Sequence, residues 1–446
     1  MTQHATYAKR SEAACDRLRA LDRHGLAGEG SGVAGSTLRI GGLSGLAAIG
    51  GVLTLDGMLS AEIVGFSGRY ATALARADLS GLAAGARATL GPAIAGLPVC
   101  DGWIGRVVDP LGRPLDNAGP LPTGPRLQPL RASSPPAATR ARLGRRIDFG
   151  TRVLDLFAPC REGQRLGLFA GSGIGKSTLL AMLARGVDCD VVVLALVGER
   201  GREVREFLED DLGPKARARA VTVIATSDAS PLIRRDAAWA ALAVAEYFRD
   251  RGKRVLLLMD SVTRFCTALR EIGLAGGEPP TTRGFPPSVF SELPRLLERA
   301  GPGIDRPGMG SITALFTVLV DGDDHDEPVA DAARGILDGH VVLDRRIGEA
   351  GRYPAVDVAR SLSRTSPGCL PPDVVPDVAA ARAILSRAQN LSDLVRLGAY
   401  APGSDAESDR ALLLAPRIEA LIAQDRQEVT PATDSYAALH AIMAAT

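Results

Sequence analysis

The sequence predicts an α/β protein, with a parallel-sheet core set between a small N-terminal β-barrel and a C-terminal helical region. Three observations carry that expectation. From Gln164 onward, near-continuous apolar runs alternate with helical stretches, the pattern of parallel strands buried on both faces. Between Leu38 and Pro98, short apolar runs alternate instead with glycine turns, as in small antiparallel barrels and sandwiches. After Pro376 the chain reads as helix, with Ile418, Leu421 and Ile422 on one face.

At 446 residues the chain is too long for one compact unit. The expected division is a helical segment over 1–30, a barrel over 31–105, a sheet core over 106–370 and helices over 371–446. Within Thr2–Gly25, Ala14, Leu18 and Leu21 recur at helical spacing and Gly25 supplies a stop, so the segment reads as a surface helix or a docking helix for a partner or a membrane surface. The runs Gly51–Leu55 and Ala61–Phe66, with turns at Asp56-Gly57 and Ser67-Gly68, read as barrel strands. Pro120–Pro136, rich in Pro, Ser and Ala, reads as a connector. Leu166–Ala170, Val191–Val197, Val221–Ala225, Val255–Met259 and Thr313–Val320 are the candidate buried strands. Ser230-Pro231 opens one intervening helix, with serine as N-cap and proline in the first turn, and Gly252 closes it.

Hydrophobic residues make up 46% and charged residues 23%, an ordinary globular balance, and the net charge is +1. That balance gives no general attraction for nucleic acid, and no nucleic-acid partner is expected. No apolar run has the length of a membrane span, and the N-terminus lacks the apolar stretch of a secretory signal. The six cysteines, Cys15, Cys100, Cys160, Cys189, Cys266 and Cys369, are scattered and form no CxxC pair, so they read as reduced thiols of a cytoplasmic protein.

The strongest chemical signal follows Ala170: Gly171, Ser172, Gly173, Ile174, Gly175, Lys176, Ser177 and Thr178, placed between a predicted strand and a predicted helix, Leu179–Arg185. A helix N-terminus offers unpaired N–H groups and a positive dipole end, and glycines let successive amides curl around a phosphate. Lys176 can then reach the β- and γ-phosphates, and the Ser177 hydroxyl can hold Mg²⁺. ATP and Mg²⁺ are the implied ligands. Hydrolysis needs more: a carboxylate near the metal, a group that orients water, and positive charge for the transition state. Asp260 ends an apolar run, where carboxyl strand ends face the ligand crevice, and is assigned to the metal in preference to a capping role for the helix beyond. Glu199 follows Val191–Val197 in the same way and can polarise water, and Arg200 beside it can meet phosphate; solvated charges are the plainer alternative for both. The acidic run Asp321–Glu327 lacks EF-hand spacing and reads as a solvated loop.

Several longer stretches resemble the rotary and type III export ATPase superfamily: Gly198–Glu203, Leu257–Phe265, Gly277–Phe290, Asp338–Leu343, Tyr353–Asp357 and the passage Gly105–Leu115. Gly351–Val358 and Leu397–Asp405 are most similar to the flagellum-specific (type III export) ATPase family. The resemblance implies a RecA-like parallel sheet core with a small N-terminal β-barrel domain and a C-terminal helical domain. It implies Glu199 as the water-activating glutamate, Arg200 and Arg264 near the phosphates, Asp260 linked to Mg²⁺, and Arg364 as an arginine finger entering the neighbouring subunit's site. A homohexameric ring follows from such a finger. The implied partners are a stator-like regulator, export gate proteins, export chaperones and their substrates, and acidic lipid at the inner face of the cytoplasmic membrane. Where many relatives carry an adenine-packing aromatic beyond the finger, this chain has Thr365–Cys369, which leaves Tyr400 as the stand-in. The implied function is a flagellar export ATPase. The alternatives are an injectisome ATPase, a catalytic ATP synthase subunit, a non-catalytic nucleotide-binding subunit, which Glu199 opposes, and a hexameric RNA translocase. Against the last, Phe66 and Tyr70 are the only aromatics between Leu38 and Pro98.

Overall fold

A computed structural model of the chain describes residues 27–83, 85–91, 96–171, 173–320 and 327–445. The candidate helix in Thr2–Gly25, the loop residue Ser172 and the acidic residues 321–326 lie outside the described residues. Internal contacts divide the chain into two compact units, one of residues up to 94 with Ala275–Gly277, the other of the remainder.

The first unit is a closed antiparallel barrel of β1 (Ala27–Ala34), β2 (Thr37–Gly41), β3 (Val52–Leu55), β4 (Leu59–Ser67), β5 (Tyr70–Ala75) and β6 (Arg87–Leu90), in the order β1-β2-β5-β4-β3-β6 with β6 returning to β1. Closure leaves no unpaired strand edge. Asp56 and Gly57 both have positive φ, 46° and 73°, as the two-residue hairpin turn between β3 and β4 requires. Leu38, Ile40, Leu53, Leu55 and Ile63 fill the interior. β1 begins inside the stretch expected to be helical through residue 30. Its sequence, rich in Gly, has no apolar alternation, so its pairing with β2 and with Arg87–Thr89 of β6 is what reveals it as a strand.

The second unit is built on a nine-stranded sheet. Its strands are β7 (Val107–Val108), β10 (Arg165–Ala170), β11 (Val191–Glu199), β12 (Ala220–Thr226), β13 (Arg254–Asp260), β14 (Gly301–Pro302), β15 (Ser311–Leu319), β16 (Gly339–Leu343) and β17 (Val356–Ser363); β8 (Arg146–Ile147) and β9 (Cys160–Arg161) form a separate pair. The order is β17-β16-β10-β15-β13-β11-β12-β7, with β14 antiparallel on β15. From β16 to β7 every neighbour is parallel, and β17 closes one edge antiparallel to β16. The five runs read as buried strands are strands here, nearly all of their residues below the surface.

The helix Pro231–Arg249 lies against β11, β12 and β13. Its start is the expected one, with the Ser230 hydroxyl accepting from the Ile233 N–H at 3.4 Å. It ends three residues before Gly252, whose φ of +80° takes the chain back to the sheet. Six buried alanines, from Ala237 to Ala245, let the helix come close to the strands. The C-terminal helices Val375–Arg396, Ala406–Ile422 and Ala432–Ala444 pack on one another and on the helix Arg152–Phe157. Ile418 and Ile422 are fully buried in that contact and Leu421 is partly so. Among the described residues, no helix is long and apolar enough to cross a membrane.

Candidate active site

Three strand ends converge. β10 runs straight into the glycine loop, where Gly173 and Gly175 take φ of +76° and +87°, a region that only glycine enters without strain. Gly175 is the N-cap of the helix Lys176–Gly186, so Lys176 opens the helix and Ser177 and Thr178 sit half-buried on its first turn, while Gly171 and Ile174 are buried. β11 carries an irregularity against β12 between Val197 and Glu199, with Gly198 at φ +73°. A bulge of this kind re-aims the side chain that follows it. β13 ends on Asp260. β15, which lies between β10 and β13, adds Thr317.

The side chains meet. Lys176 Nζ donates to Asp260 Oδ1 at 2.6 Å and stands 3.5 Å from Glu199 Oε1. Thr317 Oγ1 donates to the same Asp260 oxygen at 2.8 Å and thereby fixes the carboxylate's orientation. The three charged side chains are 5–15% exposed. Asp260 is not the cap of the following helix: Ser261 fills that role, its hydroxyl accepting from the Arg264 N–H at 3.3 Å. The stem of Arg264 rests against Gly198, beside Glu199.

Burial works against the Lys176 ammonium, yet the Asp260 and Glu199 carboxylates outweigh it and hold its pKa above the ordinary lysine value. Burial, and then the nearby Asp260 charge, push the Glu199 carboxyl above its ordinary value, against the pull of Lys176 and Arg264. Glu199 Oε1 is buried and makes no hydrogen bond within the chain, the 3.5 Å approach of Lys176 being too long to serve as one. A buried acceptor left open at the mouth of a phosphate loop is placed to receive a water.

Two of the candidate arginines lie apart from this cluster. Arg200 is 80% exposed and paired with Glu203 at 3.1 Å, because the chain turns into the helix Gly201–Glu206 directly after Glu199 and carries the next side chain outward. Arg364 is exposed just beyond β17. Its N–H bonds Asp338 O, level with the start of β10, whereas the glycine loop leaves from the other end of β10. The six residues from Arg165 to Ala170 span roughly 16 Å of strand, beyond the reach of an arginine side chain. Tyr400 donates to Asp409 at 2.9 Å, within the turn between two C-terminal helices, and has no part in the loop.

The aromatic beside the glycine loop is Tyr353. A Cβ on Gly175 would meet its ring at 3.5 Å, and the residue is 49% exposed. Its backbone carbonyl is held by the Gln424 N–H at 2.8 Å. The sequence offered a signal in the stretch Tyr353–Asp357, but no periodicity ties that stretch to the loop. Thr317 is a second residue that sequence reasoning passed over, since its place depends on β15 inserting between β10 and β13. The oxygen donors Ser177 and Asp260 suit Mg²⁺. Among the described residues no group of three or more His, Cys, Asp or Glu could hold an ion alone.

Residues 150–363 match the family model for the ATP synthase alpha/beta nucleotide-binding domain, and residues 371–441 match that of the T3SS EscN ATPase C-terminal domain. The flagellum-specific ATP synthase of Caulobacter vibrioides is 52% identical over 388 residues, 86% of this chain and 87% of that protein. The type 3 secretion system ATPase of Xanthomonas euvesicatoria is 47% identical over 395 residues, 87% of each. The assembled ATPase EscN of enteropathogenic E. coli superposes with TM-scores of 0.87 alone and 0.83 in complex with its central stalk EscO, at 37% identity, covering 93% of this chain and 99% of EscN.

Removing the lysine should expose the cost of the carboxylate pair. In Lys176→Met the pKa of Glu199 rises further. A carboxyl whose folded-state pKa exceeds its unfolded value favours the fold below the unfolded pKa, and that advantage is lost as pH rises through the folded pKa. Lys176→Met should therefore lose more stability between pH 5 and pH 8 than the unaltered chain, by about 1.4 kcal/mol per unit of added displacement. Denaturant midpoints across that range measure it, and parallel profiles for the two proteins would refute it.

Proposed function

The chain belongs to the flagellum-specific and type III secretion ATPases of the ATP synthase alpha/beta family, and we propose that the cluster of Lys176, Glu199 and Asp260 is where it hydrolyses ATP to drive flagellar protein export. The observation that carries this is the meeting of those three side chains at the mouth of a glycine loop and a helix N-terminus.

The loop amides of Gly171–Thr178 cradle the triphosphate, and Lys176 exchanges its carboxylate partners for the β- and γ-phosphates. Ser177 and, through water, Asp260 hold Mg²⁺, which when bound neutralises charge on the phosphate oxygens. Glu199 accepts the proton of the attacking water with the oxygen that makes no hydrogen bond within the described residues. Arg264, beside Gly198, faces the developing charge, and Arg200 joins it only after leaving Glu203. Tyr353, exposed beside Gly175, is the platform for the base.

Arg364 lies too far from its own loop to serve it, so it acts on the site of an adjoining copy, and the working form is a homo-oligomeric ring, a hexamer on the family pattern. EscN assembles, and does so with a central stalk. In this chain the end of the helix Val375–Arg396 exposes Leu394 and Val395, and Leu397 just beyond it, an apolar tip suited to a stalk. The stator-like regulator, the export gate, chaperones with their cargo and a peripheral place at the inner membrane face complete this reading, with the protein working from the cytoplasm.

Glu199→Gln should bind ATP with unchanged affinity while turnover falls about 10²- to 10⁴-fold, the usual worth of a positioned base. In the unaltered protein the acid limb of turnover should lie above the ordinary carboxylate range, because Glu199 must be ionised to act. Normal hydrolysis by Glu199→Gln would remove it from the mechanism. Tyr353→Ala should weaken ATP binding about tenfold, the lower part of the range for a base stacked on an aromatic, and leave tripolyphosphate binding alone; calorimetry on both ligands decides. Arg364→Ala should lose about 10³- to 10⁵-fold in turnover. Mixing it with Glu199→Gln should restore activity at interfaces that combine an intact finger with an intact glutamate. Without that recovery the finger does not act between copies.

A further inference from the structure

Gln164, the residue before β10, is completely buried and its side-chain amide is fully engaged. Nε2 donates to Ser363 Oγ at 2.9 Å and to Asp338 O at 3.1 Å. Oε1 accepts from Thr365 Oγ1 at 2.9 Å and from the Arg161 N–H at 3.0 Å. Ser363 and Thr365 are the two residues flanking Arg364, and their hydroxyls lie 3.0 Å apart. Asp338 O is the same carbonyl that accepts from the Arg364 N–H. A single planar amide thus holds both neighbours of the exposed arginine and the acceptor of its backbone.

We propose that Gln164 is a positioning residue for Arg364, fixing the direction in which that guanidinium is presented to the adjoining copy. The inference rests on the reading of Arg364 as a finger acting between subunits. An amide is suited to the task because it donates on one side and accepts on the other in one rigid plane. A finger stabilises a transition state only when its charge sits within a fraction of an ångström of the right place, and a displacement of about 1 Å costs on the order of 10²-fold in rate. Among the described residues the exposed side chain of Arg364 makes one hydrogen bond in its own subunit, a long 3.5 Å approach to Arg334 O, so its aim depends on its backbone, which Gln164 holds. Gln164 also opens the strand that ends in the glycine loop. The same strand therefore holds the nucleotide of its own subunit at one end and the finger for another subunit at the other.

The test separates positioning from simple support of the fold. Gln164→Ala should lower turnover of the homogeneous ring on the order of 10²-fold while its affinity for ATP, measured by calorimetry, stays within twofold of the unaltered chain. Mixed with Glu199→Gln chains, whose fingers are intact, it should regain turnover as the mixing ratio approaches one to one. Thr365→Val, which removes one hydroxyl and keeps the amide, should show a smaller loss with the same recovery, and it carries the test should Gln164→Ala not fold. Arg364→Ala mixed with Glu199→Gln is the reference. If that pair recovers and the Gln164 and Thr365 variants do not, or if their ATP affinity falls as far as their turnover, the positioning role is wrong. If the reference pair itself fails to recover, the reading of Arg364 between subunits is what falls.

Discussion

A buried ammonium held between two carboxylates is the constraint on which the site depends. Lys176 cannot lie where it does without anionic partners, since an unpaired charge removed from water costs several kcal/mol. Asp260 and Glu199 supply them, and they can do so only because β13 and β11 deliver their last residues to the mouth of the loop that ends β10. The arrangement is also strained in charge. One cation and two anions leave a net negative site into which a polyanion must enter. The loop amides and the helix N-terminus offset part of that repulsion. The rest calls for mobile positive charge, the part that the proposed divalent cation would play on arriving with the triphosphate.

Much of this was legible in the sequence because each ingredient is local. The glycine loop, the lysine and serine at its end and the apolar strands before Glu199 and Asp260 announce themselves within windows of ten residues. What the sequence could not give is order across the sheet. β15 comes after β13 in the chain but inserts between β10 and β13, and only that insertion brings Thr317 onto Asp260. Tyr353 reaches Gly175 across some 180 residues of chain, a relation that no period or spacing encodes. Arg200 stands apart from the cluster for the opposite reason. It neighbours Glu199 in sequence, but a bulge and an immediate helix start send successive side chains in different directions. The barrel strand Ala27–Ala34 escaped because its glycines and serines carry no amphipathic pattern, its identity lying wholly in the backbone pairing that closes the barrel.

The position of Arg364 turns an edge effect of the sheet into an argument about assembly. β17 runs antiparallel to β16, so its end returns to the amino side of the parallel strands, the side away from the glycine loop. Had β17 been parallel, the same residue would have emerged near its own phosphates and one chain could have held a complete site. The reversed edge strand sets Arg364 and the glycine loop at opposite ends of β10, the separation that the proposed action between copies requires.

The proposed action of Arg364 between copies bears on how occupancy in one site can be felt at another. β10 is short, paired with β15 along its whole length and with β16 through Gly167–Phe169, and almost entirely buried, so it has little freedom to bend between its ends. Its carboxyl end bears the loop and its amino end, through Gln164, bears the backbone of the finger. A rigid element loaded at both ends moves as a body or not at all. Under the proposed reading of Arg364, the position of the loop and the stance of the finger toward an adjoining copy are set by one strand, which would link site to site without a separate transmitting device.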